Sequence, residues 1–387
     1  MTFAGALAAA TLRLERAGCS TPRLDAEILL CHAGGLSRAA LIVRRPEPLD
    51  DALALSFDAL IARRERREPV AYLISSREFF SLSLQVDASV LVPRPETERL
   101  VEVAVQIAIK MSARPRASAA SSRGLGGEAK LEPATLPGAA APERPTSDVG
   151  SLIAGPLPPG GAKAAPERPT SDVGSLIAGP LPPGGPKAAP ERPTSDVGSL
   201  IAAALPPGGE AAAHALRIVD VCTGSGAVAL ALEAELRRHG CPARIVGSDL
   251  SAAALGVARR NVREYGSGVV LLRADLLAAL RPGGVDLIVA NPPYLSEIDL
   301  DEAAPELKWE PEMALCGGNG DGLGVIGALL GAALKSLAPG GWLVFEIGAR
   351  QGAASLDWAR GLGFVEGRIE RDLEDRDRVV VCRRAER

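Results

Sequence analysis

The first 70 residues repeat their apolar positions at helical spacing. Leu7, Leu12 and Leu14 form one candidate face, Ala26-Glu27-Ile28-Leu29-Leu30 begins a second helix after Thr21-Pro22, and Leu53 to Ile61 belongs to another. Together they predict a small helical bundle, whose plainest use is to cover the edge of a neighbouring domain. After Glu68 the period changes. Leu82, Leu84 and Val86 alternate with polar neighbours, which predicts a strand paired in a hairpin with Val90-Leu91-Val92. Pro93-Arg94-Pro95-Glu96-Thr97-Glu98 then launches a helix running through Ile109. Beyond residue 215, apolar runs near 216–222, 244–249, 268–273, 285–290, 341–347, 362–368 and 377–383 alternate with helical stretches. That pattern predicts an α/β fold, an open and mostly parallel sheet with helices on both faces.

Between about Ser112 and His214 neither period survives. Ala-Pro-Glu-Arg-Pro-Thr-Ser-Asp-Val-Gly-Ser-Leu-Ile-Ala begins at Ala141, Ala165 and Ala189, a repeat of 24 residues with Pro- and Gly-rich spacers. Each unit carries only Val, Leu, Ile and Leu as large apolar groups, and its prolines block helix and ladder bonds. It therefore cannot offset the entropy of ordering, and a solenoid is rejected in favour of a flexible surface insertion. The expected organisation is a helical domain at 1–70, a hairpin and connecting segment at 71–98, and one domain made of 99–111 and 215–387, interrupted by the insertion at 112–214.

Composition narrows the function. An apolar content of 47% over 387 residues supports ordinary cores. A net charge of −4 gives no electrostatic footprint for duplex nucleic acid, so no direct nucleic acid contact is expected. Arg63, Arg64, Arg66 and Arg67 are diluted by Glu65 and Glu68 and read as a solvated helix face. The six cysteines have no Cys-x-x-Cys spacing and the three histidines do not join them, so neither a metal nor a disulfide framework is expected. With no basic leader and no run of membrane-spanning length, the expectation is a cytoplasmic protein without membrane contact. Nothing sets an oligomeric state, and a monomer is favoured.

The chemistry concentrates in two stretches. Leu287-Ile288-Val289-Ala290 is a buried-strand run that stops at Asn291-Pro292-Pro293-Tyr294, where two prolines remove amide donors and leave a corner rich in acceptors. The Asn291 side-chain oxygen and the Pro292 and Pro293 carbonyls accept hydrogen bonds, and Tyr294 offers a flat face, a set suited to a planar NH2 group. If acceptance is all that is asked of Asn291, an aspartate would serve nearly as well. Upstream, Ile218 to Val221 leads into Cys222-Thr223-Gly224-Ser225-Gly226 and a helix beginning near Ala227, whose free N–H groups face a ligand. Arg244 to Asp249 is a second strand ending in a carboxylate roughly 20 residues on, where a ribose hydroxyl is gripped. Gly224-x-Gly226-x-x-Ala229 also satisfies a dinucleotide fingerprint, but nothing else in the chain serves hydride transfer.

These elements resemble S-adenosylmethionine-dependent methyltransferases that act on amino or amide nitrogen. Glu68 to Leu73, Arg77 to Leu82, Leu91 to Glu98, Asp220 to Leu232, Asn291 to Tyr294, Glu310-Pro311, Gly317 to Leu323 and Glu346-Ile347-Gly348 narrow the resemblance. They match the methyltransferases that modify the glutamine of the Gly-Gly-Gln motif in bacterial peptide chain release factors. The resemblance implies a seven-stranded class I methyltransferase sheet, Rossmann-like with its last strand antiparallel, behind the small N-terminal bundle. It implies S-adenosylmethionine as cofactor, held by Cys222, Thr223, Gly224, Ser225, Gly226, Asp249, Asp275, Leu276 and Asn291. Asp275 and Leu276 fall to the adenine, although Asp275 also reads as a helix N-cap. Asn291, Pro292, Pro293 and Tyr294 become the catalytic corner, no metal takes part, and the substrates become release factors docked with help from the bundle. The rivals are an enzyme methylating exocyclic amino groups of DNA or RNA and a non-catalytic module on the same sheet. Cys222 and Ser75 stand where the family commonly has glycine; Cys222 is expected to be the strand's last extended residue, which would leave cofactor binding intact.

Overall fold

The computed structural model describes residues 1–113 and 215–387. The insertion assigned to 112–214 lies almost wholly outside the described residues, and so do its repeats.

Four helices build the N-terminal bundle: α1 (Phe3–Arg16), α2 (Pro22–Gly34), α3 (Arg38–Arg44) and α4 (Asp51–Glu65). Thr2 and Asp50 cap α1 and α4 with side-chain oxygens, and Pro22 opens α2 at a position where no amide donor is needed. Phe3, Leu7, Leu14, Leu29, Leu30, Phe57 and Ile61 form the core, each such side chain contributing about 1.5–3 kcal/mol. Leu12 does not join them. At 3.6 residues per turn Leu7 and Leu14 share a face and Leu12 projects away from it, 46% exposed.

A short helix α5 (Val70–Leu73) leads into strand β1 (Ser76–Phe79), which pairs antiparallel with β2 (Leu82–Gln85). The predicted hairpin is present, but its partner strand is Ser76–Phe79 rather than Val90–Val92. Phe80 and Ser81 sit at φ +50° and +62°, a tight reversal in which both turn residues are left-handed. Val90 and Val92 are buried without strand pairing, and the Val90 carbonyl accepts from the Tyr72 hydroxyl at 2.6 Å. A 3-10 turn at Pro95–Thr97 then feeds α6 (Glu98–Ser112).

The central sheet holds β3 (Leu216–Val221), β4 (Ala243–Asp249), β5 (Val270–Arg273), β6 (Val285–Ala290), β7 (Leu337–Glu346), β8 (Phe364–Arg371) and β9 (Asp377–Arg384), in the order β5-β4-β3-β6-β7-β9-β8. The pairs from β5 through β7 are parallel, and β9 runs antiparallel to both neighbours. All seven strands fall where the apolar runs put them. Every residue of β6 is buried, as a strand covered on both faces requires. Helix α7 (Ala227–Arg238) and α6 pack one face, with Leu100, Ala104, Leu230 and Leu232 against Ile218 and Leu287. Helix α8 (Ala252–Glu264) follows β4. A short α9 (Glu297–Asp301) precedes α10 (Gly324–Ser336), which covers the other face with α11 (Gly352–Leu362) through Ile326, Leu330 and Leu356. The strand order reverses between β3 and β6, and ligands of such sheets lie beyond the carboxyl ends there.

Two of the arginines at the end of α4, Arg64 and Arg67, are not part of a solvated face, whereas Arg66 is exposed as expected. Arg64 is 4% exposed and its guanidinium bridges Asp25 at 2.8 Å and Glu306 at 2.9 Å. Arg67 grips the same Glu306 at 2.7 Å and also donates to the Gly18 carbonyl at 2.9 Å. The Trp309 indole donates to the Arg66 carbonyl at 3.2 Å. The bundle is thereby fastened to the chain that follows the Asn291 corner. No single described helix is long and apolar enough to cross a membrane.

Candidate active site

A cavity of about 560 Å³ opens at the carboxyl ends of β3, β4 and β6, within the size range of cofactor pockets. Cys222, Thr223, Gly224, Ser225, Asp249, Asp275, Leu276 and Asn291 all line it. Gly226 does not; it sits at φ +83° as the residue before α7, turned toward Ala258 of α8. Gly224, at φ +54°, faces the open side, where an added Cβ would meet nothing closer than the Cys222 carbonyl at 4.0 Å. Its backbone is therefore the wall of the cavity.

Asp249 holds the loop in shape as well as facing the cavity. One carboxylate oxygen accepts from the Gly224 amide at 2.9 Å, the other from the Ser251 amide at 2.8 Å. Burial pushes its carboxyl above the usual aspartate range, and these amides offset part of the rise. Beneath the loop Asp220 is fully buried and accepts from the Thr223 hydroxyl at 2.6 Å and the Ala229 amide at 3.1 Å. Desolvation raises its pKa to about 7. Asn261 of α8, which no sequence motif marks, ties this loop to the hairpin. Its amide nitrogen donates to the Ser225 and Gln85 carbonyls at 2.9 and 3.0 Å, and its oxygen accepts from the Gln85 amide at 2.8 Å. Asp275 caps no helix: it lies in a turn after β5, followed by Leu276 at φ +47°.

Cys222 departs from its expected conformation. It is not the last extended residue of β3 but sits at φ +58°, and Ser75 sits at +54°. Here a residue with a Cβ occupies a region where glycine avoids a penalty of about 1–2 kcal/mol. The comparison that isolates this strain is Cys222→Gly against Cys222→Ala, because both remove the thiol and only glycine relieves the backbone. The glycine variant is expected to be more stable than the alanine variant by about 0.5–1 kcal/mol in urea unfolding, the relief being reduced by glycine's extra unfolded-chain entropy. Equal midpoints would show that the loop accommodates a Cβ without strain.

The catalytic corner is held by groups that carry no motif of their own. Register pairs Ala290 with Phe345, so Asn291 leaves β6 level with Glu346 at the end of β7. The Asn291 amide nitrogen donates to Thr97 Oγ1 at 3.1 Å, and the Tyr294 hydroxyl donates to Glu346 Oε1 at 2.9 Å. Glu346 is 1% exposed. Burial holds its carboxyl above the usual glutamate range, and the Tyr294 hydroxyl and the charge of Arg378 offset part of the rise. Pro293 lines the cavity with Asn291, whereas Pro292 is buried and Tyr294 is turned to Glu346. Tyr294, expected to offer a flat face to the substrate, is anchored through its hydroxyl in the sheet and is not among the residues lining the cavity.

Residues 5–74 match the family model described as the PrmC N-terminal domain, and residues 195–307 match the methyltransferase small domain. Over 378 residues the chain is 32% identical to the release factor glutamine methyltransferase of Xylella fastidiosa (strain 9a5c), covering 97% of this chain and 96% of the relative. The chain belongs to the release factor glutamine methyltransferase family. A second relative of that name, from Moorella thermoacetica, is 31% identical over 389 residues with 100% of both chains covered. A solved methyltransferase from Pyrococcus furiosus is 17% identical and aligns over 44% of this chain and 76% of its own, with a TM-score of 0.34. Membership in the release factor glutamine methyltransferase family makes the chain a methyltransferase and gives the bundle, the glycine loop and the Asn291 corner one common context.

Proposed function

We propose that this enzyme moves a methyl group from S-adenosylmethionine to the side-chain amide nitrogen of the glutamine in the Gly-Gly-Gln motif of peptide chain release factors. The observation that carries the reading is the orientation of Asn291. Its NH2 is engaged by Thr97 at the wall of the cavity, which leaves Oδ1 to accept from a planar amide brought there. The cavity suits the cofactor because the Gly224 backbone is bare toward it and the Asp249 carboxylate stands beside that backbone. When bound there, S-adenosylmethionine supplies an electrophilic methyl on a sulfonium.

An amide nitrogen is a weak nucleophile because its lone pair is delocalised into the carbonyl. The protein's task is to orient it and to stabilise positive charge as it grows on nitrogen. Asn291 Oδ1 takes one N–H, and the main chain of the Pro292-Pro293 corner takes the other. S-adenosylmethionine held by the Gly224 loop and Asp249 would give up its methyl with sulfur keeping the C–S electron pair, and the proton nitrogen loses afterwards would pass to solvent water. No base is needed before transfer. Helices α1 to α4 give the large substrate a second surface, since a glutamine flanked by glycines has few features of its own to grip.

The test is incubation of the purified enzyme with methyl-labelled S-adenosylmethionine and, separately, purified bacterial release factor and total RNA. Label on the release factor glutamine is expected. Label on RNA with release factor left bare would overturn the assignment and favour an exocyclic amino group as the acceptor.

A further inference from the structure

The turn between β7 and α11 carries a side chain that ties two walls of the active site together. Gln351 Oε1 accepts from the Gly348 amide at 2.9 Å, while its NH2 donates to the Tyr294 carbonyl at 2.9 Å and to the Asp321 carbonyl at 3.1 Å. Both N–H donors of the amide are thereby used. The Tyr294 carbonyl belongs to the catalytic corner. Asp321 belongs to a glycine-rich loop, Gly317 to Gly324, whose Gly317, Gly318 and Asn319 line the cavity. This loop lies hard against the corner: the Leu295 amide donates to the Leu315 carbonyl at 2.9 Å, and the Gly317 amide to the Leu295 carbonyl at 3.0 Å. At Gly322, φ +76°, an added Cβ would collide with the Tyr294 carbonyl and stand 2.9 Å from Gln351 Nε2, so only glycine lets the two stretches meet. Gly320 is the contrast, since at φ +74° an added Cβ meets nothing within 4 Å.

Resting on the proposed glutamine methylation, we propose that Gln351 is a positioning residue that pins the glycine-rich loop to the Tyr294 carbonyl and so fixes that wall of the cavity relative to Asn291. The reacting amide has to fit between the Asn291 acceptor and this wall, where a displacement of about 1 Å costs about 10²-fold in rate. Gln351 itself touches no reacting atom. Its side chain makes no cap hydrogen bond to α11, so removing its donors leaves the helix start intact. The Gly224 loop and Asp249 take no part in the joint, which therefore governs turnover more than cofactor affinity.

The experiment compares full-length wild type, Gln351→Glu, Gly322→Ala, Gly320→Ala and the Gln351→Glu/Gly322→Ala double variant. Each is measured for release factor methylation with S-adenosylmethionine in excess, for cofactor affinity by calorimetry, and for hydrogen exchange at the Leu295 and Gly317 amides. Gln351→Glu keeps the size and the bond to Gly348, but its ionised carboxylate has no donor for the two carbonyls. It is expected to lower kcat by about 10–100-fold with cofactor affinity nearly unchanged, and to speed exchange at both amides. Gly322→Ala is expected to do the same from the other side of the joint. Gly320→Ala, equally left-handed but with open space for its Cβ, is expected to keep the rate. The double variant should be about as slow as the worse single one, because both break one joint. Wild-type kcat in folded Gln351→Glu, an equal loss in Gly320→Ala, or full additivity in the double variant would overturn the proposal. If either Gln351→Glu or Gly322→Ala fails to fold, the other decides, and a wild-type kcat in it overturns the joint. A wild-type enzyme that leaves release factor unmethylated would instead sink the proposed function; unchanged amide exchange in Gln351→Glu would still overturn the joint in that case, which separates the two failures.

Discussion

Asn291→Ala is expected to slow methyl transfer in a single turnover by about 10²–10³-fold, the usual cost of losing one preorganised dipole, with a smaller change in cofactor affinity. Asn291→Asp is expected to be as damaging. From the sequence alone an aspartate keeps an acceptor, and it should be less damaging if acceptance is all that matters but as poor as alanine if the amide must also donate. In the structure the asparagine also donates to Thr97 Oγ1, and an aspartate there would set a carboxylate against the hydroxyl oxygen. Thr97 would then have to turn from acceptor to donor, and a charge would stand in a part-buried site that now holds a neutral amide. Single-turnover transfer on wild type, Ala and Asp variants, with cofactor binding measured in parallel, separates the two roles. An Asp variant near the wild-type rate would show that donation to Thr97 is dispensable.

Arg64→Ala is expected to lower stability by about 3–5 kcal/mol, because removing one partner of a buried ion pair leaves its counterpart uncompensated. Asp25 would remain buried without the guanidinium it meets at 2.8 Å, and Glu306 would keep only Arg67. Urea unfolding gives the number. A loss under about 1 kcal/mol, the range of exposed pairs, would mean that the cluster behaves as a surface feature. The same cluster predicts an acid dependence. Burial pushes the Glu306 carboxyl up, but hydrogen bonds from Arg67 and Arg64 outweigh it and leave it below the usual glutamate range. A carboxyl depressed in the folded state contributes stability above its unfolded pKa. That contribution is expected to fade as pH falls through the folded value.

The strands were legible because a parallel sheet buried on both faces demands continuous apolar runs, and Leu287 to Ala290 is such a run. The cavity-lining residues of the glycine loop were legible for a similar reason, since only bare backbone serves there. What escaped the sequence were contacts between distant stretches. Thr97 meets Asn291, and Glu346 meets Tyr294, only because β6 and β7 are neighbours and α6 starts beside them. Arg64 looked like one charge in a mixed run, and its burial depends on Glu306, far along the chain. Cys222 misled for a local reason: side-chain identity argues against positive φ, and surrounding structure overrode that preference.

The Glu306 clamp sets a rule of reciprocity. The segment from Tyr294 to Trp309 is tied at one end to Glu346 through Tyr294 and at the other to the bundle through Arg64, Arg67 and the Arg66 carbonyl. If a protein substrate seated on the bundle shifts this segment, the free energy it spends there reappears at the Asn291 corner. By linkage, occupancy of the corner must then alter the grip of the bundle by the same factor. A product that no longer fits beside Asn291 would loosen its own distant foothold, so release of the finished substrate would begin at the far surface.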